Sequence, residues 1–273
     1  MILFQCMNKQ VIKKIFFCDF DETFFPNDLN LEKSGVYELG AYIKKNAREK
    51  NFLFGIVSGS RFGSILEKIN TNHIFLPNFI SSDLGTELYL LNDQKYHLDE
   101  DYNSDNKKRF NIQHIFDMVE DFNNSHSNLI QIQSDKFQSS NKVSYYLRHS
   151  ENFSNHELAL KSIAKKLSIK VSITKCNPMA GDPEGFYDVD FIPLGSGKDF
   201  IVKYIKNKYN GHPYTIAFGD SFNDFDMFSV VDEAYLVANS HPDAIDVGRS
   251  FKNIKILENE YCIGILDIVR RKL

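Results

Sequence analysis

Five residues, Lys14-Ile15-Phe16-Phe17-Cys18, run almost without polarity into Asp19-Phe20-Asp21-Glu22-Thr23. A short, solid apolar run of this kind reads as a strand buried on both faces, and such strands belong to parallel sheets. Parallel pairing needs crossover connections, so this segment already commits the chain to an α/β fold. Alternation along the strand points Asp19 and Asp21 the same way, so two carboxylates are expected to converge at its carboxyl end. In open α/β sheets that end binds ligands. Two carboxylates held together repel unless a cation lies between them or their proton affinities are driven apart. A calcium loop opening at Asp19 would need Gly at its sixth position and Glu at its twelfth. Those positions hold Phe24 and Asn30, which excludes it.

The pattern after this run is that of a doubly wound sheet. Val36, Leu39, Ile43 and Ala47 recur near the helical period, Phe52 to Val57 forms a second buried strand, and a short helix and Phe79 to Ser82 follow. From about residue 88 to 188 the chain becomes more polar. Segments 142–148 and 170–175 read as half-exposed strands. One helix is expected through Ile112, Ile115, Phe116, Val119 and Phe122, and another opened by a capping box, Ser154-Asn155-His156-Glu157. This is a separate α+β module inserted between residues 1–87 and 189–273, where the doubly wound pattern resumes with a helix at 199–209, strands at 214–218 and 234–238, and a C-terminal helix at 263–272.

Composition narrows the class. A chain of 273 residues has ample core, and 42% hydrophobic with 25% charged residues is ordinary for a soluble protein. A formal charge of -4 argues against a general nucleic-acid binder. The four cysteines, Cys6, Cys18, Cys176 and Cys262, lie far apart, as in reduced thiols rather than a disulfide framework or zinc site. No apolar run approaches the ~18 residues that span a bilayer, and no secretory signal is present, so a cytoplasmic protein is expected. Oligomeric state is not encoded in any feature of the sequence.

Three further motifs fall where the first would need them. Ser58, closing the second buried strand, offers a hydroxyl, and Gly59 and Ser60 offer backbone N–H groups suited to a phosphate oxygen. Gly195-Ser196-Gly197-Lys198 is not a Walker loop, because Ile192 and Asp199 stand where that loop requires Gly and Ser or Thr. Its lysine could nonetheless be delivered into a site. Gly219-Asp220-Ser221-Phe222-Asn223-Asp224 follows another buried strand and adds carboxylates at the same sheet edge. Hard oxygen ligands from several loops suit Mg²⁺.

In this order, D-x-D-x-T, Ser, Lys and G-D-x-x-x-D resemble the haloacid dehalogenase superfamily across the whole chain, with the 88–188 module in the position of its larger cap. Phe17 to Thr23, Ser82-Asp83-Leu84-Gly85-Thr86-Glu87 and the stretch 176–184 are most similar to the bacterial kanosamine-6-phosphate phosphatases, and more distantly to sucrose-phosphate phosphatases. The resemblance implies a Mg²⁺-dependent phosphatase of a small sugar phosphate, most simply kanosamine 6-phosphate in antibiotic biosynthesis. A sucrose-phosphate-type or general hexose phosphatase, or a phosphomutase, stands as the alternative. It implies Asp19 as nucleophile and Asp21 as acid and base. Thr23, Ser58, Gly59, Lys198 and Asn223 would bind phosphate, and Asp19, Asp21 (through its backbone carbonyl) and Asp220 would hold the metal, with Asp224 either a further ligand or just behind them. Glu22 replaces the superfamily's usual Gly. The loop 175–190 and its neighbours supply candidate sugar contacts in Glu22, Glu87, Asn177, Asp182, Glu184 and Asp188.

Overall fold

The computed structural model describes residues 11–28, 30–107, 110–176, 178 and 182–273. Their strands are β1 (Lys14–Cys18), β2 (Phe52–Val57), β3 (Phe79–Ser82), β4 (Glu87–Asn92), β5 (Lys95–Leu98), β6 (Ile130–Ile132), β7 (Val143–Arg148), β8 (Ile169–Lys175), β9 (Phe186–Pro193), β10 (Tyr214–Gly219), β11 (Glu233–Leu236) and β12 (Ile254–Ile256). The chain divides into two compact units, Met1–Asp99 with Lys198–Leu273, and Glu100–Gly197.

The first unit is built on one sheet of order β12-β11-β10-β1-β2-β3-β4-β5. From β12 to β3 every pairing is parallel, with β1 in register between β10 and β2 through Phe16, which lies opposite Ile216 and Phe54. Residues 15–18 and all of β2 are buried, as solid apolar strands covered by helices must be. Phe16 packs edge-on against Phe52 at 5.5 Å between ring centroids and stacks near Phe218 at 6.3 Å. The helices Ser34–Lys50 and Tyr261–Lys272 contribute Val36, Leu39, Ile43, Ile265, Leu266 and Val269 to the same core. Truncating one such Phe to Ala would cost about 3–5 kcal/mol. The carboxyl ends of β1, β2 and β10 are therefore anchored in this buried aromatic core.

Both boundaries of the inserted unit differ from the sequence reading. β4 and β5 are antiparallel additions to the edge of this sheet, pairing through Ser82–Glu87 and Asn92–Lys95. The inserted unit therefore begins at Glu100 rather than 88. Its far end moves from 188 to Gly197, because β9 pairs along its length with β7 and β8.

The second unit is a four-stranded antiparallel sheet of order β6-β7-β9-β8. The helices Ile112–Ser125 and Phe153–Lys166 bury Ile115, Phe122, Leu160 and Ala164 against Leu147, Ile169, Val189 and Phe191. Alternation sends Asp188 and Asp190 to the opposite face of β9, level with Tyr146 and Ser144 on β7 and with Thr174 and Ser172 on β8. Two local expectations are corrected. The helix begins at Phe153 after Asn152, without the anticipated capping box at Ser154. The expected 175–190 loop becomes strand from Phe186 onward, because Tyr187, Val189 and Phe191 alternate inward beneath the helices.

Candidate active site

The carboxyl ends of β1 and β10 carry the charged centre of the first unit. Asp19 directly follows β1, with its N–H donating to the Phe218 carbonyl of β10 at 2.9 Å. Lys198 opens the helix Lys198–Lys208 and reaches back across 179 residues of sequence, donating to Asp19 Oδ1 at 2.8 Å. The same ammonium donates to Asp224 Oδ1 at 2.7 Å and Asn223 Oδ1 at 2.9 Å. Asp224 Oδ2 accepts the N–H groups of Asp220 and Ser221 at 3.0 and 3.2 Å, so both of its oxygens are engaged. This turn explains Gly219. A Cβ there would lie 2.4 Å from the Asp224 carboxylate carbon, which any side chain would displace.

Three acids thus crowd one lysine. Asp19, Asp220 and Asp224 bring ligand oxygens within 4.8 Å of one another, and all three are buried. Burial pushes the Asp19 carboxyl up to about 7, with Asp224 adding to the rise and Lys198 opposing it. Asp220 is also raised well above the usual carboxylate range, chiefly by burial and then by Asp224 and Asp19. Burial works against the Lys198 ammonium, but Asp19 and Asp224 outweigh it and hold the lysine charged. Three carboxylates against one ammonium leave a buried excess of negative charge that a divalent cation would relieve. Hard oxygen donors of this kind suit Mg²⁺, so the residues present fit that ion.

Asp21 sits differently from the expectation that it would point with Asp19. β1 ends at Cys18, and the chain then turns, with Phe25 N–H bonding back to the Phe20 carbonyl and Glu22 left-handed at φ 59°. The Asp21 carboxylate accepts from Ser60 Oγ at 2.6 Å and from Lys68 Nζ at 2.5 Å. Thr23, expected on phosphate, is wholly buried and donates to Asp220 Oδ1 at 2.8 Å, so it orients an acid instead. Glu22 accepts from the Asn27 N–H at 3.1 Å and from Tyr261 OH at 3.0 Å, tying the turn to the C-terminal helix. Asn239 Nδ2 secures the Glu22 carbonyl at 2.6 Å.

Ser58 is buried where β2 ends, and its Oγ accepts the Ser60 N–H at 3.0 Å. The Ser58 and Ser60 carbonyls accept N–H groups from Leu84 and Asp83, so the turn containing Gly59 is held by the segment Asp83-Leu84-Gly85. That segment is left-handed throughout, at φ 51°, 58° and 80°. Glu87 Oε2 accepts from Tyr89 OH at 2.8 Å and Ser82 Oγ at 3.4 Å. Lys68 and Ser60 side chains were missed by sequence reasoning. Lys68 flanks the buried stripe of Ile65 and Ile69, where a lysine ordinarily reads as solvated.

In the second unit, Asp188 accepts from Gln133 Nε2 at 2.7 Å. Burial, followed by Asp190 and Asp182, pushes its carboxyl up to about 7. Cys176, Asp182 and Asp188 bring ligand atoms within 4.8 Å of one another. Glu184 is exposed in the turn before β9, and Asn177 lies outside the described residues. Cys18, Cys176 and Cys262 are free thiols, and Cys6 lies outside the described residues. Among the described residues no helix is long and apolar enough to cross a membrane.

A family model described as sucrose-6F-phosphate phosphohydrolase matches residues 12–271. The chain belongs to this family. The kanosamine-6-phosphate phosphatase of Bacillus subtilis is 35% identical over 263 residues, covering 94% of this chain and 92% of that protein. An uncharacterized hydrolase of Staphylococcus aureus is 31% identical over 243 residues, 85% of this chain and 89% of that one. Among solved structures, a haloacid dehalogenase-like hydrolase protein from Bacillus subtilis covers 98% of both chains at 32% identity and a TM-score of 0.68. The sucrose-phosphatase of Synechocystis, solved with sucrose and phosphate, shares the fold at a TM-score of 0.75 and 19% identity, covering 95% of this chain and 97% of that one. This member of the phosphohydrolase family is thus a haloacid dehalogenase-like hydrolase and a phosphatase.

Proposed function

We propose that the chain hydrolyses an aminohexose 6-phosphate, most simply kanosamine 6-phosphate, through an aspartyl-phosphate intermediate, and that it works in the cytoplasm. The observation that carries the chemistry is Asp19, buried at the end of β1, sharing Lys198 with Asp224 beside a buried Asp220. An Asp19 carboxylate oxygen attacks phosphorus while the bond to the sugar oxygen breaks. Asp21 gives that oxygen its proton, then takes one from the water that attacks the aspartyl-phosphate and restores the Asp19 carboxylate. Ser58 and Lys198 hold the transferring phosphoryl oxygens, with Asn223 fixing the lysine. Asp19, Asp220 and the Asp21 carbonyl would hold Mg²⁺, and Asp224, with both oxygens engaged, would support that set from behind. When bound, the ion would offset charge on the phosphoryl oxygens.

Two observations support an amino sugar. The kanosamine-6-phosphate phosphatase is alike over nearly the full length of both chains. The helix-free face of the inserted sheet gathers Asp182, Asp188 and Asp190, a natural partner for an ammonium group. Phosphate release from kanosamine 6-phosphate, glucosamine 6-phosphate, glucose 6-phosphate and sucrose 6F-phosphate tests the reading. A carboxylate site deprived of its ammonium discriminates by ~10²-fold or more in kcat/KM. Equal values for kanosamine and glucose 6-phosphates refute the amino-sugar reading, and a preference for the sucrose ester selects the activity in the family's description.

A further inference from the structure

We propose that Lys68 is a positioning residue for Asp21, fixing one carboxylate oxygen so that the other handles the proton of the reaction; this rests on the acid–base role given to Asp21 above. The two Asp21 oxygens have partners of different kinds. Oδ1 faces Lys68 Nζ at 2.5 Å, and Oδ2 faces Ser60 Oγ at 2.6 Å. An ammonium has three donors and no acceptor, so opposite Lys68 Oδ1 can only accept. A hydroxyl both donates and accepts. Ser60 can therefore donate to Oδ2 when that oxygen is bare and turn to accept when it carries a proton. Oδ2 is thus the oxygen that yields its proton to the departing sugar oxygen and recovers one from water, while Oδ1 stays clamped.

Lys68 is itself held for this task. Its Nζ also donates to Asn27 Oδ1 at 2.6 Å and lies 5.8 Å from the ring centroids of both Phe20 and Phe25, the residues that flank the Asp21 turn. Asn27 in turn donates its N–H to Glu22. The lysine therefore links the helix Phe62–Thr71 to both sides of the turn that presents Asp21. A purely stabilising role is a poor account of this geometry. The two side chains are 31% and 26% exposed, and pairs so open to water contribute about 0–1 kcal/mol. Lys68 does not duplicate Lys198, which serves Asp19 and Asp224.

The test compares Lys68→Met, Lys68→Arg, Asp21→Asn and the double variant Asp21→Asn with Lys68→Met. Each is assayed on the best sugar phosphate and on p-nitrophenyl phosphate in Mg²⁺. Lys68→Met should melt within a few degrees of the parent and lose about 10- to 100-fold in kcat on the sugar phosphate, part of the span open to acid–base catalysis. KM should move by less than about 2-fold, and Lys68→Arg should recover most of the loss. Nitrophenolate leaves without needing a proton, so Lys68→Met should release one equivalent per enzyme in a burst and then turn over slowly. Adding Lys68→Met to Asp21→Asn should change kcat by less than about 2-fold, since both act through one group. Unchanged kcat in Lys68→Met, losses that multiply in the double variant, or absence of the burst each overturn the assignment. Should the parent cleave no sugar phosphate, the proposed function fails, and the p-nitrophenyl phosphate arm still decides the role of Lys68.

Discussion

Lys198→Met tests the electrostatics of the centre most directly. The ammonium lies 2.8 Å from Asp19 and 2.7 Å from Asp224, and Asp220 shares their cluster. The centre sets three carboxyl groups against one ammonium, and removing the lysine takes away its only nearby positive charge among the described residues. At an effective dielectric of about 20, one contact at this distance carries roughly 6 kcal/mol of attraction before desolvation. Desolvation cancels part of that, and breaking a buried pair typically costs about 3–5 kcal/mol. Protonation offers partial relief. Burial already lifts Asp19 to about 7, and Lys198 is the largest influence opposing the rise. Without it Asp19 binds its proton more tightly still, while an unfolded aspartate titrates near 4. The folded variant therefore holds protons that the unfolded chain has released, and its stability falls as pH rises. The deficit should be larger at pH 8 than at pH 6. Hydrogen exchange across β1 and β10 in EDTA reads this locally, which matters because two units need not unfold together. Adding Mg²⁺ should restore protection, as a divalent cation offsets the lost charge. Protection within about 1 kcal/mol of the parent at pH 8, or a larger loss at pH 6, would refute the reasoning.

Asp188→Asn should stabilise the inserted unit at pH 8 by on the order of 1–2 kcal/mol, allowing for solvent screening, and change little at pH 4. With its folded carboxyl raised to about 7 above an unfolded value near 4, Asp188 contributes a penalty that grows as pH rises through that window. Equal melting shifts at both pH values would contradict this. Chelation with EDTA should abolish phosphate release, Mg²⁺ should restore it, and Ca²⁺, which accepts looser geometry and more ligands, should inhibit. Full turnover after exhaustive chelation excludes the metal arrangement.

Much of the core was legible because its signals are local. The runs ending at Asp19, Ser58 and Asp220 announced buried strands whose carboxyl ends meet, and the structure places those strands as neighbours β10-β1-β2. Solid apolar runs have one economical solution, burial in a covered parallel sheet. The β4–β5 hairpin was harder to assign. Its half-exposed alternation reads the same whether it extends the first sheet or begins the second unit, and only pairing with β3 decides.

Sequence alone thus determined the fold class, the order of the motifs and which strand ends lie together. Tertiary structure decided what each polar side chain faces. Thr23 turned inward to Asp220, Glu22 was claimed by Tyr261, and Asp21 was turned to Ser60 and Lys68 because the strand stopped one residue before Asp19. Asp188 came to lie on a strand because Val189 and Phe191 needed the helices on the other face. Apolar periodicity is written within a few residues. The partner of a carboxylate depends on how turns and helices distant in sequence meet, and a single chain read in order does not carry that information.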